Sequence, residues 1–242
     1  MRFLFATTPD HQGALTPFAN ACRRAGHQVL VAGPEPLTDE LRFWPVANVR
    51  TAIREWAPDL VVGLPGAIAD VVVDPGLLTS GSCLTLVPES LDGSSPGAVR
   101  FRDPVAAWNP PVWGEWERPR EPAAFVALDE TVAVSVPRTA VLRNAAVVVS
   151  HGAEILSALA AGTPLVLVPR SARERFDARR ISELRLGVVL DGDLDDAIRR
   201  VLSFEIYTDR ARRIRDEINA LPSVDEAVDV LMHLAETRAT AA

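Results

Sequence analysis

The stretch "VVVSHGAEILSALAAGTPLVLVP", Val147 to Pro169, constrains the fold more than any other part of the chain. A run of apolar β-branched residues stops at Ser150-His151-Gly152, a helical pattern follows, and a second apolar run closes the unit. That order predicts strand, tight turn, helix and strand, which means a parallel sheet with ligands at the carboxyl ends of its strands. The unpaired N–H groups of the helix beginning near Ala153 would point back at His151 and Gly152, and a diphosphate is the natural guest of such a turn. The residues are equally compatible with a tight turn that binds nothing.

The same alternation runs through the rest of the chain. "RFLFATT" predicts a strand, "GALTPFANACRRAGH" a helix closed by Gly26, and "QVLVAGP" a second strand. A helix over Asn48 to Trp56, broken by Pro58, leads to a strand over Asp59 to Leu64, and "CLTLVP" predicts one more. Then comes "ESLDGSSPGAVRFRDPVAAWNPPVWGEWERPREP", rich in Pro, Gly and Trp, which suits an extended connection between two halves. Beyond it lie the strand runs "AAFVAL" and "VAVSV", a helix near "PRTAVLRNA", the opening unit, and a helix and strand in "ARERFDARRISELRLGVVLDG". The last forty residues read as helices, the final one capped by Ser223. The expected domains are residues 1–100, a linker over 101–122, and 123–242.

With 242 residues, 48% of them apolar, the chain can build one large α/β core or two small ones. It carries 32 acidic and 25 basic residues, a net charge of −7, without long runs of one sign, so neither nucleic acid nor an anionic membrane is an expected partner. Every basic residue is Arg, which removes lysine-based mechanisms. Cys22 and Cys83 fall in a helix and a strand and read as core thiols. No leader or long apolar span is evident, and a cytoplasmic location is expected. "GDLDDA" has close carboxylates in Asp191, Asp193 and Asp195 but lacks the Gly and distal Glu of a calcium loop, so helix capping accounts for it and no metal is assigned. His27 and His233 read as structural. Trp108, Trp113 and Trp116 either line an apolar pocket or fasten the linker.

"SHG", "LSALAAGTPLVLVP" and "FDARRISELRLGVVL", in that order, resemble the donor half of nucleotide-sugar-dependent glycosyltransferases of the GT-B fold, the antibiotic and macrolide type. "MRFLFATTPDHQGALTPFANACRRAGHQVLVAGP" is similar to the acceptor half of that family, and "RPREPAAFVAL" resembles its join between domains. The resemblance implies an α/β protein with two Rossmann-like halves, a reduced GT-B architecture with parallel sheets, and a C-terminal helix folding back on the N-terminal half.

It also exposes departures. The family's general base is a His in a pattern like Gly-His-aliphatic-any-Pro, and here Gly13-Ala14-Leu15-Thr16-Pro17 puts Ala14 in its place. Asp10 and His11 are the remaining candidates for catalysis, with Gln12 and Gly13 beside them as ligand contacts. Relatives wrap the diphosphate with His-Gly-Gly-Ala-Gly-Thr-Thr. This chain is two residues shorter after Ser150, His151 and Gly152, and Glu154 and Ile155 stand where relatives have Thr. A carboxylate there repels phosphate. Relatives hold the donor sugar with an Asp-Gln pair, and the alignment places Arg173 and Glu174 at those positions; Arg cannot accept hydrogen bonds. Segments on both sides of the expected cleft are also abbreviated.

These departures lead to the expectation of a glycosyltransferase-like protein of natural-product biosynthesis that binds a small-molecule scaffold in the interdomain cleft without ordinary glycosyl transfer. It would act as a tailoring enzyme of other chemistry or as helper of a full-length transferase, or pair with a second copy of itself, and no cofactor is assigned. The alternative is a compact glycosyltransferase that moves a sugar from a UDP- or TDP-sugar to a small-molecule acceptor, with Asp10 or His11 as base.

Overall fold

The computed structural model describes residues 1–7, 14–46, 49–74, 83–92, 97–102, 124–127, 141–142, 144–152 and 154–241. The chain divides into two compact units, one of residues 1–104 with 221–242 and one of residues 105–220.

In the first unit, strands β1 (Arg2–Ala6), β2 (Gln28–Gly33), β3 (Arg42–Pro45), β4 (Leu60–Gly63) and β5 (Val71–Val72) form a sheet of order β3-β2-β1-β4-β5 in which every pairing is parallel. A parallel bridge from Val73 to Leu84 leads on to β6 (Leu84–Thr85) and β7 (Val99–Arg100), themselves parallel. Phe3 pairs with Val29 and Leu60, and Phe5 with Val31 and Val62. Because side chains alternate along a strand, these six face one core with Phe18 and Cys22 of helix α1 (Thr16–Arg24). Leu4, Leu30 and Val61 face the other, with Ala52 of helix α2 (Val49–Trp56). Burial on both faces explains why β1, β2 and β4 read as unbroken apolar runs. Full burial of a side chain such as Phe18 stabilises the fold by roughly 1.5–3 kcal/mol.

Helix α1 begins at a Pro in its first turn and ends at Gly26, whose φ of +83° suits glycine, with Gly26 N–H donating to the Arg23 carbonyl. A four-residue helix α3 (Glu89–Asp92) precedes β7, and the buried Asp92 carboxylate pairs with Arg100. Four elements are not evident from the sequence. These are helix α3, which falls in the segment expected to be an extended connection, β3, an edge strand of four residues, and β5 and β7, of two residues each.

The second unit holds β8 (Ala124–Ala127), β9 (Val147–Ser150), β10 (Leu165–Leu167) and β11 (Gly187–Val189), an all-parallel sheet of order β11-β10-β9-β8. Helices α4 (Ile155–Ala161), α5 (Ala172–Glu183), α6 (Leu194–Ser203) and α7 (Glu205–Ala220) complete it. Val147, Val149, Val166 and Val188 share a core with Val201 of α6, while α4 packs on α7. Asp193 caps α6 by accepting from Asp196 N–H at 3.1 Å, which is the capping role expected of the "GDLDDA" carboxylates.

Residues 221–242 follow the second unit in sequence and pack with the first. Arg102 N–H donates to the Pro222 carbonyl at 2.7 Å, a short 3-10 turn over Val224–Glu226 follows, and helix α8 (Ala227–Ala241) lays Val228, Leu231 and Ala235 into the core beneath α1. Ser223 and Glu226 form the reciprocal N-terminal capping box, and Arg24 of α1 pairs with Asp225. The expected α/β class, with two Rossmann-like parallel sheets and a terminal helix folding back on the N-terminal half, is what the chain adopts. Among the described residues, no helix is long and apolar enough to cross a membrane.

Candidate functional site

Strand β9 delivers Ser150, His151 and Gly152 to its carboxyl end, as the sequence pattern predicts. Ser150 is buried at 1% exposure, and its Oγ accepts the Gly152 N–H at 3.1 Å, which closes the turn. Gly152 has a φ of +144°, a conformation that side chains rarely adopt. His151 is half-buried, and its Nδ1 lies 2.5 Å from the Val168 carbonyl just past β10. A carbonyl only accepts, so Nδ1 carries the hydrogen and proton exchange is left to Nε2.

The adjoining turn comes from β10 and α5. Ser171 Oγ accepts the Glu174 N–H at 3.1 Å, and Glu174 Oε2 accepts from the N–H groups of Arg170 at 2.5 Å and Ser171 at 3.0 Å. This capping box is written in the sequence as "SARE", Ser171 to Glu174, a local signal independent of any sugar contact. A Cβ placed on Gly152 would lie 3.4 Å from Glu174 Cγ, so the Glu174 side chain stands directly over the turn. The backbone N–H groups of Arg170 and Ser171, with smaller help from the nearby His151 and Arg170 charges, hold the Glu174 carboxyl below its ordinary range. An ionised carboxylate therefore occupies the neighbourhood of the turn.

The remaining candidates separate. Arg173 turns to the exposed side of α5 and pairs with Asp177 at 3.2 Å, one helical turn along. Glu154 is buried at 3% exposure and makes no side-chain cap to α4, although its carbonyl accepts from Ala158 N–H. Helix α4 has only seven residues. Asp10, His11, Gln12 and Gly13 lie outside the described residues, as do Trp108, Trp113 and Trp116. Ala14 is partly buried and packs against the first core. The structure thus gathers Ser150, His151, Gly152 and Glu174 into one cluster, with Ser171 added, and leaves Arg173 out of it.

Residues 123–234 match the family described as "Erythromycin biosynthesis protein CIII-like, C-terminal domain". The NDP-glycosyltransferase YjiC of Bacillus subtilis (strain 168) is 30% identical over 105 residues, which cover 40% of this chain. The chain spans 27% of the length of that relative. Among solved structures, glycosyltransferase VinC in complex with DTDP superposes with a TM-score of 0.78 at 20% identity, over 98% of this chain and 100% of that one. The glycosyltransferase SnogD from Streptomyces nogalater gives 0.73 at 21% identity over 97% and 99%. Spinosyn rhamnosyltransferase SpnG complexed with thymidine diphosphate gives 0.77 at 18% over 96% and 100%. Residues 123–234 are thus similar to an erythromycin biosynthesis protein CIII-like C-terminal domain, and the chain has the GT-B fold that these solved glycosyltransferases share.

Proposed function

We propose that the chain binds a small-molecule natural-product scaffold and does not transfer sugar from a nucleotide donor, serving as a tailoring enzyme of other chemistry or as helper of a full-length transferase. The observation that supports this most is the Glu174 side chain over Gly152, its carboxylate tied to Arg170 and Ser171 N–H groups. In the His151 turn a diphosphate would need a space without negative charge. Here a carboxylate of the chain itself, fixed by the neighbouring turn, stands over that space. The buried Glu154 at the start of the short α4 adds a second acid where phosphate would need amides. Fold persists while a site is lost because chemistry is grafted on a fold rather than dictated by it.

Calorimetry with UDP, dTDP and their sugars tests this. No saturable heat is expected from any of them, whereas a panel of polyketide aglycones is expected to include a saturable ligand. Micromolar binding of a nucleoside diphosphate would favour the compact transferase instead, the activity carried by the names of YjiC, VinC and SnogD.

A further inference from the structure

The first unit contains a cavity of about 540 Å³ that no part of the proposed function uses. Its lining comes from the first residues of four parallel strands: Leu60 opens β4, Val71 opens β5, Leu84 opens β6 and Val99 opens β7. The cavity therefore lies at the amino-terminal edge of a parallel sheet, opposite to the carboxyl edge where ligands of such folds sit. Helix α8 forms the other wall through Val230 and Leu234, one turn apart, with Thr237 and Arg238 a turn further on.

The chemistry of the walls selects a ligand. The strand and helix side chains are aliphatic, so apolar burial would drive binding. Polar groups are confined to one side. There, Arg238 pairs with Asp70, whose Oδ2 also accepts the Val61 N–H at 2.8 Å. The Thr237 hydroxyl donates to the His233 carbonyl at 2.9 Å. The acid and the base cancel, so a charged ligand would have to break an existing pair to gain a partner. A hydroxyl or carbonyl could share the pair without breaking it. The volume falls within the usual range of small-molecule sites, roughly 300–1,000 Å³. Apolar cavities readily take up apolar guests.

We infer that this cavity between the amino-terminal strand edge and α8 is a binding site for a small, uncharged, predominantly apolar molecule, with one hydroxyl or carbonyl directed at Asp70 and Arg238. Val99 and Leu234 are partly exposed at 41% and 37%, so enlarging either fills the cavity without rebuilding the core.

The test uses the full chain and N-phenyl-1-naphthylamine, an uncharged fluorophore that brightens in apolar surroundings. Wild type is expected to bind it saturably at one site, and Val99→Trp and Leu234→Trp to weaken that binding at least about tenfold while melting like wild type. Absence of saturable binding, or undiminished binding in both folded variants, overturns the proposal. Photo-crosslinking of an uncharged alkyl diazirine to wild type gives a readout that needs no variant. Label is expected on the peptides holding Val99 and Leu234, and label found solely elsewhere overturns the assignment. A concentration-dependent dimer that both Trp variants dissociate, with no probe bound, would assign the surface to a second copy and likewise overturn it.

Discussion

Glu174 Cγ stands 3.4 Å from where a Cβ of Gly152 would be, although the two residues belong to different turns joined through β10. The contact couples the His151 turn to the start of α5. Glu174→Gln keeps the side chain's size but weakens a charge-assisted acceptor of two N–H groups. A drop in Tm of roughly 2–4 °C is expected near neutral pH. The Glu174 carboxyl titrates below its ordinary value in the folded chain, so its contribution is present above that ordinary range and is lost as pH falls through the folded pKa. Melting both proteins between about pH 6 and about pH 3 should therefore close the gap between them. A gap that widens on acidification would contradict the bonding described.

His27 offers a second titration. It stands edge-on to Phe3 with ring centroids 5.3 Å apart. Burial first, and the nearby N-terminal ammonium second, lower its pKa from 6.5. The unfolded chain thus binds this proton more readily than the folded one. Stability should fall as pH drops through about 6.5 and level off below the folded value. Two-dimensional NMR following the imidazole should give a midpoint below that of an unfolded peptide, and His27→Gln should flatten this part of the stability curve.

The docking of α8 can be measured directly. Leu231 is fully buried in the first core, and Leu231→Ala should cost about 2–5 kcal/mol in urea unfolding. His233, two residues on and exposed, should tolerate Ala within about 0.5 kcal/mol. Equal effects at the two positions would mean that α8 does not pack as described.

Single-turnover assays with a nucleotide-sugar panel and a polyketide-like acceptor bear on the proposed function. Neither wild type nor Ala14→His is expected to give donor-dependent product, because one imidazole leaves Glu174 and the short α4 unchanged. Product from wild type that falls by about 10²–10⁴-fold in Asp10→Asn or His11→Ala would establish a general base there and the transferase alternative with it.

Much of the fold was legible because local and global preferences agree. The apolar runs of β1, β2, β4, β9 and β10 are strands buried on both faces, and Ser223 with Glu226 announces the final helical segment. Strands β5 and β7 escape notice because each is two residues long within a segment rich in turn-forming Gly, Pro and Asp, whereas the equally short β6 sits inside the longer apolar run "CLTLVP". The site was legible one residue at a time, through His151 and Gly152. Its arrangement was not: the Glu174 contact depends on how β10 and α5 place a side chain more than twenty residues away. Arg173 stands where relatives hold the sugar, but its pairing with Asp177 follows from the i,i+4 spacing of a helix, which the family resemblance does not convey.

The union of residues 1–104 with 221–242 in one unit has a consequence for biosynthesis. As the chain leaves the ribosome, Phe18, Leu60 and Phe101 emerge long before Val228, Leu231 and Ala235, which complete their core. The whole of residues 105–220 is made in the interval. The first unit must therefore wait, with an apolar face open to chaperones, while the second can close as soon as it is free of the tunnel.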